Sequence, residues 1–410
     1  MAISILLVDD SEIMLKLVSK ALKAEGYEVY PALNGKEALE TIQRVVPNLV
    51  LLDVFLPDMD GYQICKTLRS DPRTARIPII MLTGFNDLDN RLKAFDAGAD
   101  DFMEKPFQLE ELQARVKVHL RRAALSVPAP APRVEVDIPL YKIAVFSLRG
   151  GIGVSTLAVN LATGLSQLWA TPTLLMDLAL LSGQAALMLD IPPRNNWANL
   201  GGVKPGDIDA DILGKVVIRH SSGVELLAAP RKAEEAELIG DKHVHRVVEL
   251  CKSRYKYLVM DLPHDYSFAT VAALDEADSI LLLVAPDLAS VHCASSALST
   301  FKDLGYPDEK VQLVLNWNFN TSGLARKEIE KALQKPVSVV IPNMPDTLVM
   351  AITMGKPVVL ETDKPEAALF EDLAYLWSTE EYKKKEPAVP SAAWQRVMER
   401  ARRRQQPSKQ

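Results

Sequence analysis

Residues Arg149-Gly150-Gly151-Ile152-Gly153-Val154-Ser155-Thr156 place three glycines and two hydroxyls between an apolar run at 143–146 and a helical pattern at 157–162. A strand, a glycine-rich turn and a helix N-terminus make a phosphate cradle. Bare backbone N–H groups approach the anion, and the helix dipole favours its charge. Gly150, Gly151 and Gly153 would line the cradle. Ser155 would offer its hydroxyl to Mg²⁺, and Thr156 would sit near an α-phosphate. The lysine expected before Ser155 is absent, and Val154 stands there. The loop therefore reads as built to hold a nucleotide more than to hydrolyse one. Three polar residues end apolar runs further on: Asp177, Asp261 and Asn316. Asp261 suits a Mg²⁺ site from beyond its direct ligands, and Asp177 could orient a water or a metal ligand. The Asn316 amide both donates and accepts, which suits an adenine edge.

A second constellation precedes this one. Asp9 and Asp10 follow the apolar run 3–8, Asp53 ends the run 49–52, Thr83 ends 77–82, and Lys105 follows 101–104. In a parallel sheet such ends converge on one edge. Three packed carboxylates repel, so Asp9, Asp10 and Asp53 need a hard cation. Mg²⁺ suits them, because it takes carboxylate oxygens and keeps several waters. That cation and Lys105 would stabilise a phosphoryl group on Asp53, and Thr83 would hydrogen-bond to it.

Alternating strands and helices must position these residues. In the first part of the chain, apolar runs alternate with amphipathic stretches at 12–24, 35–44 and 109–120. The later part has strand-like runs at 142–146, 173–176, 257–260, 279–284 and 311–315. The pattern predicts an α/β chain of two doubly wound parallel-sheet domains. A chain of 410 residues is long for one domain. The alternating Ala-Pro stretch at 126–132 behaves as a semi-rigid spacer. The expected organisation is a domain at 1–121, a linker at 122–139, a nucleotide-binding domain at 140–380 and a basic tail at 381–410.

Composition removes several function classes. A net charge of −6 argues against coating nucleic acid over the whole surface, while leaving room for a local basic patch. Cys65, Cys251 and Cys293 lie far apart with no metal spacing, which points to a reducing cytosol. The N-terminus lacks a basic region and a cleavage site. No window approaches the ~18 uncharged apolar residues of a membrane span. A cytoplasmic protein is expected.

The motifs Val8-Asp9-Asp10, Leu52-Asp53 with Pro57 and Gly61, Met81-Leu82-Thr83, Gly98-Ala99-Asp100-Asp101 and Lys105-Pro106-Phe107 resemble a response-regulator receiver domain over residues 1–121. The resemblance implies a flavodoxin-type fold, Asp53 as phosphoacceptor and a histidine kinase as phosphodonor. It also implies Asp9 and Asp10 as Mg²⁺ ligands, Thr83 as the switch hydroxyl and Lys105 as the phosphate contact. Phe102 matches the family's aromatic switch position.

The phosphate loop, Asp177, Asp261-Leu262-Pro263, Asn316, Val284-Ala285-Pro286-Asp287 and Ile341-Pro342-Asn343 resemble the deviant-Walker ATPases of the MinD and ParA kind over about 140–375. Domain order is similar to the TadZ/CpaE branch of pilus-assembly proteins. The resemblance implies a P-loop NTPase fold, ATP with Mg²⁺, a homodimer, and pilus or secretion machinery as partners. Arg149 replaces the family's opening lysine and would reach across a dimer to the partner's nucleotide. Val154 and Ala179 replace residues that efficient hydrolysis needs. ATPase activity stays open, with a slow ATPase as the expectation.

Three readings stand at this point. The first is a phosphorylation-responsive nucleotide switch that positions a pilus or secretion apparatus, with the receiver face around 87–120 relaying the signal. The second is a ParA-like DNA-partition ATPase, which the acidic average disfavours, so DNA is not expected as a partner. The third is a response-regulator adaptor that binds no nucleotide. His264 and His292 lack partners at recognisable spacing and read as ordinary polar residues. The tail carries nine basic residues against two acidic ones from 383 to 410. Trp394, Val397, Met398 and Ala401 form an apolar stripe there. A solvated tail and a peripheral membrane contact are the competing expectations, the latter with a polar address at the inner membrane face.

Overall fold

The computed structural model describes residues 3–71, 73–74, 77–83, 97–125, 139–192, 195–317, 323–384 and 386–405. Residues 87–96 of the expected relay face, the Ala-Pro spacer at 126–132 and residues 133–138 of the expected linker lie outside the described residues. The chain divides into two compact units, Met1–Pro132 and Arg133–Gln410.

The first unit holds strands β1 (Ser4–Val8), β2 (Glu28–Ala32), β3 (Leu49–Asp53), β4 (Ile79–Thr83) and β5 (Asp101–Glu104) in the order β2-β1-β3-β4-β5. Every pairing is parallel. Helices α1 (Glu12–Ala24), α2 (Gly35–Arg44), α3 (Gly61–Ser70) and α4 (Leu109–Leu125) cover it. The strands are apolar throughout because both faces are buried. Ile5 and Leu7 face Leu15, Val18 and Leu22 of α1 and Val116 of α4. Leu6 and Val8 face Ala38, Ile42, Ile64 and Leu68 of α2 and α3. Helix starts follow their caps: Ser11 accepts from Met14 N–H, Asn34 from Glu37 N–H and Asp60 from Tyr62 N–H.

The second unit contains β6 (Tyr141–Phe146), β7 (Thr173–Asp177), β8 (Ile218–Arg219), β9 (Glu225–Leu227), β10 (Tyr257–Asp261), β11 (Ser279–Val284), β12 (Val311–Asn316) and β13 (Val337–Ile341). Their order is β13-β12-β11-β6-β10-β7-β9-β8. The sheet is parallel except at one edge, where β8 runs antiparallel to β9. A tight turn with Gly223 at φ 97° reverses the chain there, which a crossover helix would not do. The helices that bear on the site are α5 (Val154–Trp169), α6 (Ala185–Met188), α7 (Phe268–Glu276), α8 (Leu288–Asp303), α9 (Pro365–Leu376) and α10 (Ala392–Gln405). Residues of α5, α9 and α10 pack on one face of the sheet, and residues of α7 and α8 on the other. None of the described helices is long and apolar enough to cross a membrane.

The tail corrects the sequence expectation. It folds as α10 against the body of its unit. Ala393 and Val397 are buried, and Trp394 and Met398 pack on the same core. The stripe expected to meet solvent or a membrane is thus already covered. Glu371 of α9 is buried and accepts from Arg396 Nε at 2.9 Å and Arg400 Nη2 at 2.8 Å. Arg400 also reaches Asp372 at 2.8 Å. Much of the tail's positive charge therefore answers acids on its own unit. The α9 helix in turn crosses α5 closely at Gly164, where a Cβ would lie 3.0 Å from the Ala374 methyl. A chain ending at Pro387 should lose stability, because it strands the Glu371 carboxylate. Breaking a buried pair costs roughly 3–5 kcal/mol. The expected drop in melting temperature is roughly 6–15 °C. Adding Glu371→Gln should recover part of it, read by thermal denaturation. An unchanged melting temperature would show that α10 contributes nothing.

Candidate functional site

In the first unit, sheet register brings the acids together. Val8 pairs with Leu52 and Asp53 with Leu82, so Asp9, Asp53 and Thr83 stand at adjacent strand ends. Asp9, Asp53 and Thr83 are buried, while Asp10 is exposed. Carboxylate oxygens of Asp9, Asp10 and Asp53 lie within 4.8 Å of one another. Lys105 Nζ donates to Asp9 Oδ2 at 2.6 Å and to Asp53 Oδ2 at 2.7 Å. Lys105 N–H is tied to the Thr83 carbonyl at 2.7 Å, which fixes the chain that carries the amine.

The electrostatics follow from this geometry. Burial pushes the Asp53 carboxyl up; Lys105 opposes that, and the charge of Asp9 adds to it. Burial would lower the Lys105 amine, but the two carboxylates outweigh burial and raise it. Three carboxylates against one amine leave negative charge, so the donor set fits a hard divalent cation. Asp9, Asp10, Asp53 and Lys105 meet here, and sheet register places Thr83 at the neighbouring strand end.

In the second unit, Asp261 pairs in register with Asp177 on one side and with Val145 on the other. The phosphate loop leaves β6 just beyond this point. Gly151 at φ 77° and Gly153 at φ 95° take the left-handed backbone that the turn requires. Gly153 caps α5 and could carry no side chain: a Cβ would lie 2.7 Å from Asn316 Nδ2.

Beneath the loop lie two buried acids with different fates. Asp177 accepts from Ala179 N–H at 3.1 Å and from Ala185 N–H at 3.2 Å. Burial still pushes its carboxyl up to about 7. Asp261 is fully buried, and neither of its oxygens has a hydrogen-bond partner among the described residues. Burial and the charge of Asp177 push it well above the usual carboxylate range, while the Ser155 hydroxyl acts in the opposite sense. An orphaned buried carboxylate under a glycine loop, with a serine hydroxyl beside it, fits a Mg²⁺–nucleotide group. Ser155 would hold the cation, with Asp261 acting from beyond its direct ligands, while Gly150, Gly151, Gly153 and Thr156 would receive the phosphates.

Three sequence expectations change. Asp177 does not point free for a water or metal, because its oxygens cap the turn leading into α6. Asn316 was expected at an adenine edge, yet its Nδ2 donates to the Ile152 carbonyl at 2.8 Å and so props the loop itself. Arg149 was expected to reach outward, yet its guanidinium pairs with Asp287 inside the same chain. Asp287 also accepts from Ser290 N–H at 3.0 Å, capping α8. Burial works to raise the Asp287 carboxyl, but Ser290 N–H and Arg149 hold it below its usual range. Val154 packs partly buried against the apolar core. Ala179, where the resemblance implies a second acid, is buried.

His264, read above as an ordinary polar residue, stands against the loop. A Cβ on Gly150 would lie 3.2 Å from its Nε2. The signal available in the sequence was its place three residues after Asp261, at a strand end.

Comparison with known proteins agrees with this division. The response regulator receiver domain family matches residues 5–117, and the family described as cellulose biosynthesis protein BcsQ matches residues 140–304. A curated relative is the DNA-binding dual master transcriptional regulator RpaA of Synechocystis, 40% identical over 132 residues. That alignment covers 32% of this chain and 54% of RpaA, so the chain spans about half the length of this relative. Among solved structures, the ParA family ATPase from Chlorobium tepidum aligns at 24% identity with a TM-score of 0.54. It covers 57% of this chain and 97% of its own. The septum site-determining protein MinD from Pyrococcus horikoshii, complexed with Mg-ADP, aligns at 18% identity with a TM-score of 0.53. It covers 60% of this chain and 99% of its own. These last two likenesses speak to the fold of the second unit.

Proposed function

We propose, from the premise that a receiver domain here precedes a domain with the ParA/MinD fold, that this protein is a phosphorylation-responsive, nucleotide-binding assembly factor. Its nucleotide is ATP with Mg²⁺. The observation that carries the reading is the buried Asp261 carboxylate, left without a partner beneath an intact glycine loop. The intact Asp53 site supplies the second input.

In the receiver, Asp53 Oδ attacks the phosphorus of a phosphodonor such as a histidine kinase, and the donor's leaving group departs. Lys105 neutralises charge on the transferred group, and Thr83 donates to it. Asp9, Asp10 and Asp53 would hold Mg²⁺, which would supply positive charge against the phosphoryl oxygens. In the second domain the loop amides and the α5 dipole hold the phosphates. Hydrolysis is slow, because Val154 supplies no cation and Ala179 no acid. Arg149 leaves Asp287 to meet phosphate at a homodimer contact, as guanidinium suits bidentate phosphate binding. Phosphorylation biases that assembly. The apparatus positioned is a pilus or secretion machine of the TadZ/CpaE type, at a polar or peripheral site in the cytoplasm. With its apolar stripe buried, the C-terminal helix does not serve as the membrane contact.

The test is ATP affinity and turnover of wild type beside Val154→Lys and Arg149→Ala. A charge restored ~4 Å from phosphate at an effective dielectric near 20 is worth at most about 4 kcal/mol. Val154→Lys should therefore tighten ATP, by at most roughly 10³-fold, and raise turnover. Arg149→Ala should weaken ATP-dependent self-association. Unchanged affinity and self-association would remove Arg149 from the reading. No ATP binding by wild type would leave the adaptor. Salt-sensitive, ATP-dependent binding to nonspecific DNA would favour a partition ATPase.

A further inference from the structure

The turn after β10 presents an imidazole to the phosphate loop. It is anchored along its length. Leu262 N–H donates to the Val145 carbonyl at 3.2 Å, tying the turn to the strand that feeds the loop. Asp265 Oδ1 accepts from Ser267 N–H at 2.9 Å and from Thr270 Oγ1 at 3.0 Å. The Tyr266 ring packs on Phe146, the last residue of β6, with centroids 5.7 Å apart. Pro263 stiffens the backbone immediately before the histidine.

His264 is thereby carried to the mouth of the loop. A Cβ on Gly150 would lie 3.2 Å from its Nε2 and 3.4 Å from its Cε1. The imidazole edge thus fills the space a side chain at position 150 would take. His264 is exposed, and among the described residues its ring nitrogens have no hydrogen-bond partner. Within one chain the Arg149 guanidinium is paired with Asp287, and the phosphate proposed for it belongs to a second copy's nucleotide; position 154 is apolar.

We propose that His264 is a contact residue for the terminal phosphate of a bound nucleoside triphosphate, taking part of the role that a lysine at position 154 would have. The proposal rests on the nucleotide reading above. Ser155 and Thr156, at the start of α5, lie at the inner end of the loop and serve the inner phosphates. Gly150 lies at the outer end, where the chain of phosphates terminates. An N–H of the imidazole donates there, so the contact distinguishes a triphosphate from a diphosphate.

Calorimetric titration of the full chain with Mg-ATP and with Mg-ADP tests this, using wild type, His264→Ala and His264→Gln. Hydrogen bonds to a charged group are worth roughly 1.5–3 kcal/mol, so His264→Ala should weaken ATP by roughly tenfold or more. ADP affinity should change by less than about twofold, because the lost partner is absent from it. His264→Gln keeps a donor and should recover much of the ATP affinity. The side chain is exposed, so melting temperatures should match. Equal losses for ATP and ADP, or no loss for either, would overturn the assignment while leaving the nucleotide reading intact. Failure of wild type to bind either nucleotide would sink both.

Discussion

Asp261→Asn should raise the melting temperature of the metal-free protein and, in the same molecule, abolish Mg²⁺-dependent ATP binding. The two effects share one cause. Asp261 is buried without a partner, next to buried Asp177. Burial and that neighbouring charge both disfavour its ionised form. An unfolded carboxyl ionises near pH 3.9. Asp177 in the folded chain is pushed up to about 7, and Asp261 lies well above its ordinary value. Between those limits the folded state holds more protons than the unfolded one. Stability from Asp177 is therefore full below about pH 4 and is lost as pH rises through about 7, and Asp261 acts in the same direction. Metal-free wild type should accordingly melt higher at pH 5.5 than at pH 8 as far as this pair is concerned.

Asparagine removes the charge but leaves a buried amide to satisfy, which takes back about 1–3 kcal/mol. The variant should still melt higher than wild type at pH 8, where the unfolded Asp261 carboxyl is ionised and the folded one is disfavoured as an ion. The pH difference should shrink in the variant. Differential scanning calorimetry in a chelator, followed by titration with Mg-ATP, reads both effects. A variant that melts lower than wild type at pH 8, or that still takes up Mg-ATP at full affinity, would show that Asp261 is a structural acid.

Asp53→Asn should eliminate acyl-phosphate formation, and Lys105→Met should slow it by roughly 10²–10³-fold, the usual cost of removing one aimed charge-stabilising donor. The geometry separates the two. Under the proposed reading Asp53 supplies the attacking oxygen; among the described residues the other two acids of the cluster are Asp9, which accepts from Ser11 N–H at 3.0 Å and from Lys105, and Asp10, which is exposed. Lys105 instead bridges Asp9 and Asp53 and compensates charge that neither acid can lose. Incubation with a small acyl-phosphate donor and Mg²⁺, read by intact mass and by hydroxylamine lability, checks both. Undiminished labelling of Asp53→Asn would move the phosphoacceptor elsewhere. Full-rate labelling of Lys105→Met would reduce the bridge to a packing contact. Lys105→Met has a further readout independent of transfer. Removing the amine should raise the Asp53 carboxyl further, since Lys105 is what opposes burial there.

The receiver was legible almost in full from its sequence, because each functional residue ends a short apolar run. A parallel sheet buried on both faces turns such ends into one edge, so Asp9, Asp53, Thr83 and Lys105 had to meet. The glycine loop was legible for the same reason: Gly151 and Gly153 occupy backbone that only glycine adopts freely, and helix α5 begins beside them. Composition and periodicity also carried the α/β class, though not the antiparallel edge at β8, which is only two residues long and has no period to read.

Other roles came only with the tertiary structure. Arg149 meets Asp287 across 138 residues, and Asn316 holds the Ile152 carbonyl across 164. No local spacing encodes such pairs; the strand order β12-β11-β6-β10-β7 does. The C-terminal helix has the pattern of a surface binder, and amphipathicity alone is silent about whether the apolar side meets a membrane or the chain's own core. Glu371 decides that, because a buried carboxylate draws Arg396 and Arg400 inward. The sequence by itself determined which side chains are available: a cluster of aspartates beside a lysine, and a glycine loop with Val154 before its serine. The tertiary structure decided which polar groups remain free to act, because burial and long-range pairing commit Asp177 and Asn316 and hold Arg149 against Asp287 in the single chain, while leaving Asp261 and His264 without hydrogen-bond partners among the described residues.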